Sequence, residues 1–416
     1  MNVFVAIMFV IAVVMGFLLG LPYMLLMGLI VMIFGLIIRK NSAIAVPLVV
    51  GFVLRIIMVF LIHSGVIVEG DWDGYIYRAL LWSENGLSGA IKNFTTGAYF
   101  YSWLASIIFS IFGSELTLFR LINAFFSTLI ALNVYNIAKN LHSEKSARIV
   151  GWIMAIFPTG ILFSSFFCNR EPLIIYFFTA SILSLLRWVD QMKARHFFAF
   201  FFLYALTLSL HIGFIVGLMV ILPYMFVRVI KTKKDYFIVF MYTMAFVALA
   251  FIGLKMLGSG FSAKLSLGGT GILQKLRFFS KASSVGRANY LTTLVIHTYF
   301  DALWQAPIRL AYFLLAPFPW MLDTIRDAYG AFDALFYLYA LVASLFYVKP
   351  LIKNKKALVV FLLTLSITMV FAFATANYGT AMRHRAKFYP AYIAIFAPAL
   401  GQLWQRIRSV YKHSGH

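Results

Sequence analysis

Three carboxylates lie close together in the sequence at Glu69, Asp71 and Asp73. The chain of 416 residues has only 13 Asp and Glu residues, so this crowding is unusual for its composition. The cluster follows the apolar segment 43–62, which is long enough to cross a bilayer. Carboxylates at a membrane–water boundary are costly to dehydrate, which indicates a site that needs negative charge. The residue types predict a general base or a cation ligand.

The residues after this cluster predict a short helix along the membrane interface. Tyr75, Ala79 and Trp82 recur at helical spacing, as in an amphipathic surface helix. Asp73 would then stand at the helix start, where it could serve only as a cap, because free N–H groups and the helix dipole stabilise a carboxylate there. The candidates in this segment are Asp73 and Asp71 for catalysis, and Glu69, Tyr75 and Tyr77 for substrate binding.

A second acidic position, Glu171, stands beside Arg170 between two apolar runs. An adjacent Arg and Glu before Pro172 can be only the start of a helix, since proline is favoured in the first turn. The alternative is that both residues bind substrate in the same cleft as the first cluster. With Asp71 and Asp73, Glu171 would also provide oxygen ligands suited to Mg²⁺ or Mn²⁺. The sequence indicates no other cofactor.

Basic residues on the predicted outer side form the third group of candidates. They are Arg287 and the run Arg383, His384 and Arg385. Basic residues on the translocated side oppose the positive-inside rule, so they need another reason. A lipid phosphate supplies one, because a guanidinium group pairs with phosphate oxygens through two parallel hydrogen bonds. The alternative is contact with anionic lipid headgroups at the membrane surface.

The composition places the chain in a membrane. Hydrophobic residues make up 63% of it and charged residues only 12%, with a mean hydropathy of +0.92. A water-soluble fold of this length cannot bury so much apolar surface. A net charge of +22 could suggest nucleic acid, but the basic residues lie in short clusters between apolar runs, as the positive-inside rule explains. The single cysteine, Cys168, excludes an intramolecular disulfide.

Apolar runs and basic clusters together predict an all-α, polytopic transmembrane bundle of about 12 spans with both ends inside. Arg39 and Lys40 close the first hairpin on the inner side, so the next span carries the acidic cluster to the outer side. The stretches 98–112 and 307–320 are short for a span and are expected to lie at the interface. The predicted spans are 3–20, 22–38, 43–64, 118–140, 149–167, 172–188, 197–211, 213–228, 236–257, 332–348, 356–376 and 388–405.

The chain is predicted to form one integral membrane domain over residues 1–416. Residues 65–117 form the predicted outer catalytic loop with juxtamembrane helices, and residues 258–331 form a basic outer loop with an interfacial segment. Within that segment, Pro317 and Pro319 are expected to break a helix at the membrane surface. The segment is either an interfacial anchor or one wall of a lipid-binding groove.

Three segments resemble the GT-C superfamily of glycosyltransferases, especially the branch that holds protein O-mannosyltransferases and bacterial aminoarabinose transferases. They are GDWDGYIYRALLWSENG, YFYSWLASIIFSIFGSELTLFRLINAFFSTLIALNVYNIAKNL and RHRAKFYPAYIAIFAPAL. They cover under a quarter of the residues, and their order is more specific than any single motif. In that superfamily the first outer loop holds an essential Asp or Glu, which implies this role for Asp71 or Asp73. Many relatives have adjacent Asp-Glu where this chain has Asp-Trp-Asp, so which Asp is the base stays open.

The resemblance implies an inverting glycosyltransferase of the plasma (inner) membrane with its active site on the extracytoplasmic side. A sugar would move from a polyprenyl-phosphate or polyprenyl-diphosphate donor to a hydroxyl of a glycan, lipid or protein. Arg383, Arg385 and Arg287 would hold the leaving phosphate. The alternatives are an O-antigen-type polysaccharide polymerase and a flippase or transporter of lipid-linked sugars. Charges gathered at one face, without an internal repeat, argue against the transporter.

Overall fold

A computed structural model describes residues 20–67, 74–165, 169–232 and 286–400, with isolated positions between 274 and 281 and Gln402. These residues form helices and no strand, which confirms the all-α class. The α-helices are α1 (Leu21–Lys40), α2 (Ala45–His63), α3 (Gly74–Ser83), α4 (Gly86–Lys92), α5 (Phe100–Phe112), α6 (Leu116–Leu141), α7 (Glu144–Ile156), α8 (Pro158–Ser165), α9 (Glu171–Gln191), α10 (Ala194–Leu210), α11 (Val216–Thr232), α12 (Tyr299–Leu315), α13 (Ile325–Leu345), α14 (Val348–Lys353), α15 (Lys355–Ala374), α16 (Tyr378–Arg385) and α17 (Tyr389–Ile395).

Several of these helices can cross a membrane. Five segments are long and apolar enough, namely Ser42–His63, Leu116–Leu141, Glu171–Gln191, Asp327–Leu345 and Lys355–Ala374. The bent pair of α7 and α8 passes the same test as one unit, which makes six. The count of about 12 spans stays a prediction, because the expected spans 3–20 and 236–257 lie outside the described residues.

The stretches expected to lie at the interface do form short helices. Helix α5 has 13 residues, too few to cross the hydrocarbon core of a bilayer. Helix α3 begins at Gly74, as the spacing of Tyr75, Ala79 and Trp82 predicted. Helix α12 ends at Leu315, just before the expected break at Pro317 and Pro319. The start of α3 thus agrees with the sequence analysis, whereas α12 begins at Tyr299, before the expected stretch 307–320. The position of these segments at an outer membrane interface stays a prediction.

The described spans run between two ends of the bundle. At one end, which we call the site end, Arg170 donates to the carbonyl of Leu210 at 2.8 Å, and the Nε atom of Arg383 lies 2.7 Å from Oε1 of Glu171. These contacts bring together the start of α9, the end of α10 and helix α16. The site end therefore gathers segments that are far apart in the sequence.

The opposite end holds the predicted inner loops. Lys356 forms an ion pair with Asp190, which joins the start of α15 to the end of α9. Asn354 donates to the carbonyl of Leu141 at 2.8 Å, which joins α15 to the end of α6. These contacts bring the ends of α6 and α9 together with the start of α15. Which end of the bundle lies inside stays a prediction.

Helix α6 lies at the centre of the bundle and packs against α2, α7, α9 and α17. Close packing of α2 against α7 depends on a glycine, because a Cβ atom added at Gly51 would lie 3.0 Å from the carbonyl oxygen of Ala155. The hydroxyl of Thr128 on α6 donates to the carbonyl of Ala124 in the same helix at 2.8 Å. A glycine at the helix contact, and a hydroxyl group that bonds within its own helix, thus let the helices pack closely in an apolar environment.

The region predicted as a single span over 149–167 is broken. Helices α7 and α8 meet at an angle of 46° at the break. Pro158 lacks an N–H group and disfavours the helical conformation of the residue before it, and Phe157 is accordingly extended with φ −64° and ψ 120°. The break leaves carbonyl groups at the end of α7 without helical partners.

Arg55 of α2 satisfies these carbonyl groups inside the bundle. Its side chain is 1% exposed, and Nη1 lies 2.9 Å from the carbonyl oxygen of Ala155. The Nε atom lies 2.9 Å from Oγ of Ser127 on α6. A positive charge is favourable at the C-terminal end of a helix, so Arg55 stabilises the broken span where an intact helix would need no partner.

Candidate functional site

Glu171 opens α9 at the site end and is completely buried. Pro172 follows it in the first turn, so the helix-start interpretation of this segment is correct for its local structure. Its Oε1 atom lies 2.7 Å from Nε of Arg383 and 3.2 Å from Nζ of Lys387. The fold therefore brings Glu171 together with Arg383, as expected from the assignment of both to one cleft.

Lys387 lies in the turn between α16 and α17 and is completely buried. Its Nζ atom also lies 2.8 Å from Nδ1 of His384. Burial lowers the pKa of Lys387 to about 7, although the carboxylate of Glu171 acts in the opposite direction. His384 in turn packs against the ring of Phe371, with ring centroids 4.8 Å apart.

Arg170 links this cluster to the segment that follows the acidic motif. The guanidinium carbon of Arg170 lies 4.7 Å from the ring centroid of Tyr75, the second residue of α3. Tyr75 also packs against Tyr99 and Tyr101, with centroid distances of 5.9 and 6.4 Å. Tyr77 is 61% exposed. Only the first of the two predicted substrate-binding tyrosines therefore contacts the charged cluster among the described residues.

Glu69, Asp71 and Asp73 lie outside the described residues. Asp73 is joined directly to Gly74, the first residue of α3, and Gly74 precedes Tyr75. The contact between Tyr75 and Arg170 therefore places the described end of this segment beside Glu171. The catalytic roles of Asp71 and Asp73 stay a prediction.

Among the residues that the structure describes, the balance of charge around Glu171 is positive. Arg170, Arg383 and Lys387 all act on this single carboxylate. The side chain of Arg383 is 31% exposed, whereas Glu171 is 1% exposed, so the cluster presents a cation towards the surface. An excess of cations that surrounds one acid favours the binding of an anion.

Arg287 lies in a different ion-pair network. Its Nη1 atom lies 3.0 Å from Oδ2 of Asp323 and 2.9 Å from Oδ2 of Asp327. Tyr378, at the start of α16, donates to Asp327 at 2.9 Å. Since two carboxylates already neutralise this guanidinium, the structure favours a structural role for Arg287 over the predicted contact with a donor phosphate.

Arg385 is also occupied within the protein. It is completely buried, and its Nε atom lies 2.9 Å from Oδ2 of Asp333. Its Nη1 atom donates to the carbonyls of Leu314 and Ala316 at 2.8 and 2.7 Å, and Nη2 donates to that of Gly330 at 3.1 Å and also lies 2.8 Å from Oδ2 of Asp333. All five N–H groups of a guanidinium are thereby used. The predicted grip of Arg385 on a substrate phosphate conflicts with this geometry, because no donor of the group remains.

Two residues that the structure makes prominent have no role predicted from the sequence. Lys387 belongs to the basic run of external residues that starts in the last turn of α16, and only its burial beside Glu171 distinguishes it. Asp333 is an acid within an otherwise apolar span, a type of position that usually marks a paired or functional group. That signal was available from the sequence, but its partner Arg385 lies 52 positions away.

The described residues do not fit a metal centre. They contain no group of three or more His, Cys, Asp or Glu side chains that could hold an ion. Glu171 itself is surrounded by Arg170, Arg383 and Lys387, whose charges oppose the approach of a divalent cation. The predicted ligands Asp71 and Asp73 lie outside the described residues, so the Mg²⁺ or Mn²⁺ site stays a prediction.

Comparison by sequence identifies one protein family. The family model of dolichyl-phosphate-mannose-protein mannosyltransferases matches residues 97–254, which is less than half of the chain. No protein with a curated function matches the sequence. The match begins in the turn before α5 and includes α6 and Glu171, so it covers one half of the charged cluster but neither the acidic motif nor α16.

Comparison by structure finds an archaeal oligosaccharyltransferase. AglB from Archaeoglobus fulgidus, in complex with an inhibitory peptide and a dolichol-phosphate, matches with a TM-score of 0.52 and 16% identity, over 90% of this chain and 52% of that chain. The apo form of the A. fulgidus oligosaccharyltransferase matches with a TM-score of 0.50 and 16% identity, over 91% of this chain and 52% of that chain. This chain thus spans about half the length of the solved chains. The fold is that of the GT-C superfamily, which confirms the resemblance.

Proposed function

We propose that this chain, which has the GT-C fold, is a membrane glycosyltransferase. It moves a sugar from a polyprenyl-phosphate or polyprenyl-diphosphate donor to an acceptor hydroxyl on the extracytoplasmic face of the plasma membrane. The observation that carries the proposal is the excess of cations around buried Glu171, beside the helix that follows the acidic motif. A site with a base on one side and an anion-binding cluster on the other suits the transfer of a sugar away from a phosphate.

In the proposed reaction the acceptor oxygen attacks C1 of the sugar while the bond from C1 to the phosphate oxygen breaks. Asp73 or Asp71 takes the proton of the acceptor hydroxyl. The electron pair leaves with the polyprenyl phosphate, and a single displacement inverts the anomeric centre. Arg383 and Lys387 stabilise the growing negative charge on the phosphate, and Glu171 holds both cations in place.

The structure also supports a revision of the anion site predicted from the sequence. Of the three predicted arginines, Arg383 alone has a neighbourhood with surplus positive charge among the described residues. Arg287 faces two acids, and Arg385 has no donor left. We therefore assign the phosphate to Arg383, Lys387 and His384. No step of the proposed reaction runs through a metal ion.

The names of the similar proteins agree with a lipid-linked donor. The name of the matching family contains dolichyl-phosphate-mannose, and the solved archaeal oligosaccharyltransferase is in complex with a dolichol-phosphate. We infer that the apolar side of the segment 307–320, together with the late helices, takes the isoprenoid tail. The acceptor in this proposal is a hydroxyl of a glycan, lipid or protein.

The test is turnover by the purified protein in nanodiscs. A panel of labelled polyprenyl-linked sugars is supplied with glycan, lipid and peptide acceptors. We expect the release of polyprenyl phosphate together with labelled acceptor. Growth of the acceptor by many units would instead indicate a polysaccharide polymerase. Movement of the donor across a sealed liposome without any release of label would indicate a flippase and contradict the proposal.

A further inference from the structure

A group of buried polar atoms at the site end has no hydrogen-bond partner among the residues that the structure describes. They are Oδ1 of Asn123, Oδ1 of Asn169, Nε of Arg170 and Oε2 of Glu171. The four side chains are between 0% and 9% exposed. A buried polar atom without a partner destabilises the folded state, so native proteins retain such atoms where something else satisfies them.

These atoms belong to one connected cluster. Residues 169–171 are consecutive, and Asn123 of α6 donates through Nδ2 to the backbone carbonyl of Asn169 at 3.1 Å. The same Nδ2 group lies 3.4 Å from the hydroxyl of Tyr101. Tyr101 packs against Tyr75, whose ring lies under Arg170. Four unsatisfied atoms therefore lie beside two aromatic rings and next to the proposed phosphate site.

The chemical types of the four atoms restrict the ligand. The oxygens of Asn123, Asn169 and Glu171 accept hydrogen bonds, whereas Nε of Arg170 donates one. A phosphate group offers only acceptors at this site, and a metal ion can replace only donors. A ligand that both donates and accepts is required, and the hydroxyl groups of a sugar do both. Aromatic side chains such as Tyr75 and Tyr101 also suit the apolar face of a sugar ring.

We propose that Asn123, Asn169, Arg170 and Glu171 bind the hydroxyl groups of the sugar that the donor lipid carries. This inference rests on the proposed transfer, because it places the sugar between the cations that hold the phosphate and the acidic motif. Asn169 and Asn123 accept hydrogen bonds from sugar hydroxyls, and Arg170 donates one to a sugar oxygen. The cluster therefore determines which sugar is accepted, since a site built for hydroxyl groups discriminates strongly against analogues that lack them.

Asn169→Leu separates this role from a structural one. The side-chain oxygen of Asn169 has no partner in the described part of the chain, so an apolar side chain of similar size should leave the melting temperature unchanged or raise it. The same variant should bind a sugar-linked donor about tenfold more weakly, the effect of one or two lost hydrogen bonds. Its affinity for sugar-free polyprenyl phosphate should not change, because Arg383 and Lys387 remain.

Asn133→Leu is the matched control on the same helix as Asn123. Asn133 is also buried, but its Nδ2 group donates to Oγ1 of Thr179 at 3.1 Å and to the carbonyl of Tyr176 at 3.3 Å. Its replacement should lower the melting temperature and leave the affinity for both lipids as it was. We thus expect opposite results: Asn169→Leu weakens binding of the sugar-linked donor without loss of stability, and Asn133→Leu loses stability without a change in binding.

The probes are polyprenyl phosphate and its mannosyl, glucosyl, galactosyl and aminoarabinosyl derivatives, each titrated into the protein in nanodiscs. We expect one derivative to bind the unmodified protein more tightly than the sugar-free lipid, and Asn169→Leu to abolish that difference. The inference is overturned if no derivative binds more tightly than the sugar-free lipid, or if Asn169→Leu retains the difference. If Asn169→Leu retains the difference but the unmodified protein still transfers sugar from a donor, only this inference fails and the proposed function stands.

Discussion

The Nε atom of Arg385 lies 2.9 Å from Oδ2 of Asp333, and neither side chain reaches the surface. Two positions earlier on the same helix, Arg383 contacts Glu171. Residues two positions apart on an α-helix are rotated by about 200° around the helix axis, so their side chains point to nearly opposite sides. The ion pair of Arg385 therefore fixes the rotation of α16 and so holds Arg383 towards the proposed phosphate site.

Replacement of the two arginines should have different effects. We expect Arg385→Ala to lower stability by about 3–5 kcal/mol, because it leaves Asp333 buried without a counter-charge. Arg383→Ala should lower the melting temperature less than Arg385→Ala does, because Lys387 remains beside Glu171, and it should bind polyprenyl phosphate about 1.5–3 kcal/mol more weakly. Arg383→Lys should recover only part of that loss, since lysine lacks the planar guanidinium. Thermal unfolding and lipid titration in neutral-lipid nanodiscs measure both effects. A stable Arg385→Ala variant with lost phosphate affinity would restore the role predicted from the sequence.

Loss of the general base should abolish transfer without loss of folding. We expect Asp73→Asn or Asp71→Asn to lower the rate about 10²–10⁴-fold, the usual contribution of a general base. Each variant should still bind the donor lipid, because the cations around Glu171 remain. The rate of sugar transfer and the elution profile of the purified variants are the measurements. Near-normal rates in both variants would exclude this segment as the source of the base.

Binding of the phosphate should depend on pH through Lys387. Burial lowers the pKa of Lys387 to about 7, and it faces Glu171, Arg383, Arg170 and His384. Its ammonium group therefore loses its charge as the pH rises through 7, and affinity for polyprenyl phosphate should fall. In Lys387→Arg the cation keeps its charge at every pH of interest, so this fall should disappear.

The unmodified protein and Lys387→Arg are titrated with the same lipid. Protonation of the lipid phosphate therefore affects both proteins alike and does not account for a difference between them. Dissociation constants measured from about pH 6 to pH 9 span the relevant range. The same pH dependence in both proteins would show that Lys387 does not contribute to the anion site.

The acidic segment and the last outer segment should share one face of the membrane. Single cysteines placed in the segments 69–97 and 377–387, in a Cys168→Ser background, should both react with an impermeant thiol reagent from the extracytoplasmic side. The shared site end in the described structure is the physical reason. Labelling of the two segments from opposite sides would contradict the topology.

Removal of divalent metal should leave the reaction intact. We expect the transfer rate to be unchanged after treatment with a chelator, because the cations around Glu171 disfavour a second positive centre there. Restoration of a lost rate by Mg²⁺ or Mn²⁺ would instead support the ligand set of Asp71, Asp73 and Glu171.

Periodicity and charge were sufficient to predict most of the described helices. The spacing of Tyr75, Ala79 and Trp82 predicted α3, because a period of 3.6 residues is a local property of the chain. The position of Glu171 at a helix start followed equally from the proline after it. The pairing of distant charges could not be predicted, because it depends on the rotation of each helix in the bundle.

The basic run after residue 382 illustrates that limit. The sequence offers Arg383 and Arg385 as equivalent candidates, yet one faces the proposed site and the other a buried acid. Only the position of Asp333 on α13 decides between them. The break before Pro158 was likewise missed, because an apolar run of suitable length predicts an unbroken span.

The buried Arg55 has a consequence for how the protein is made. A charged residue near the middle of a helix costs about 2.5–3.5 kcal/mol when that helix enters the bilayer. The groups that later receive this charge, on Ser127 and Ala155, lie 72 and 100 positions further along the chain. The guanidinium of Arg55 therefore lacks these partners until α6 and α7 have been synthesised, and the packing of α2 in the N-terminal half is completed only then.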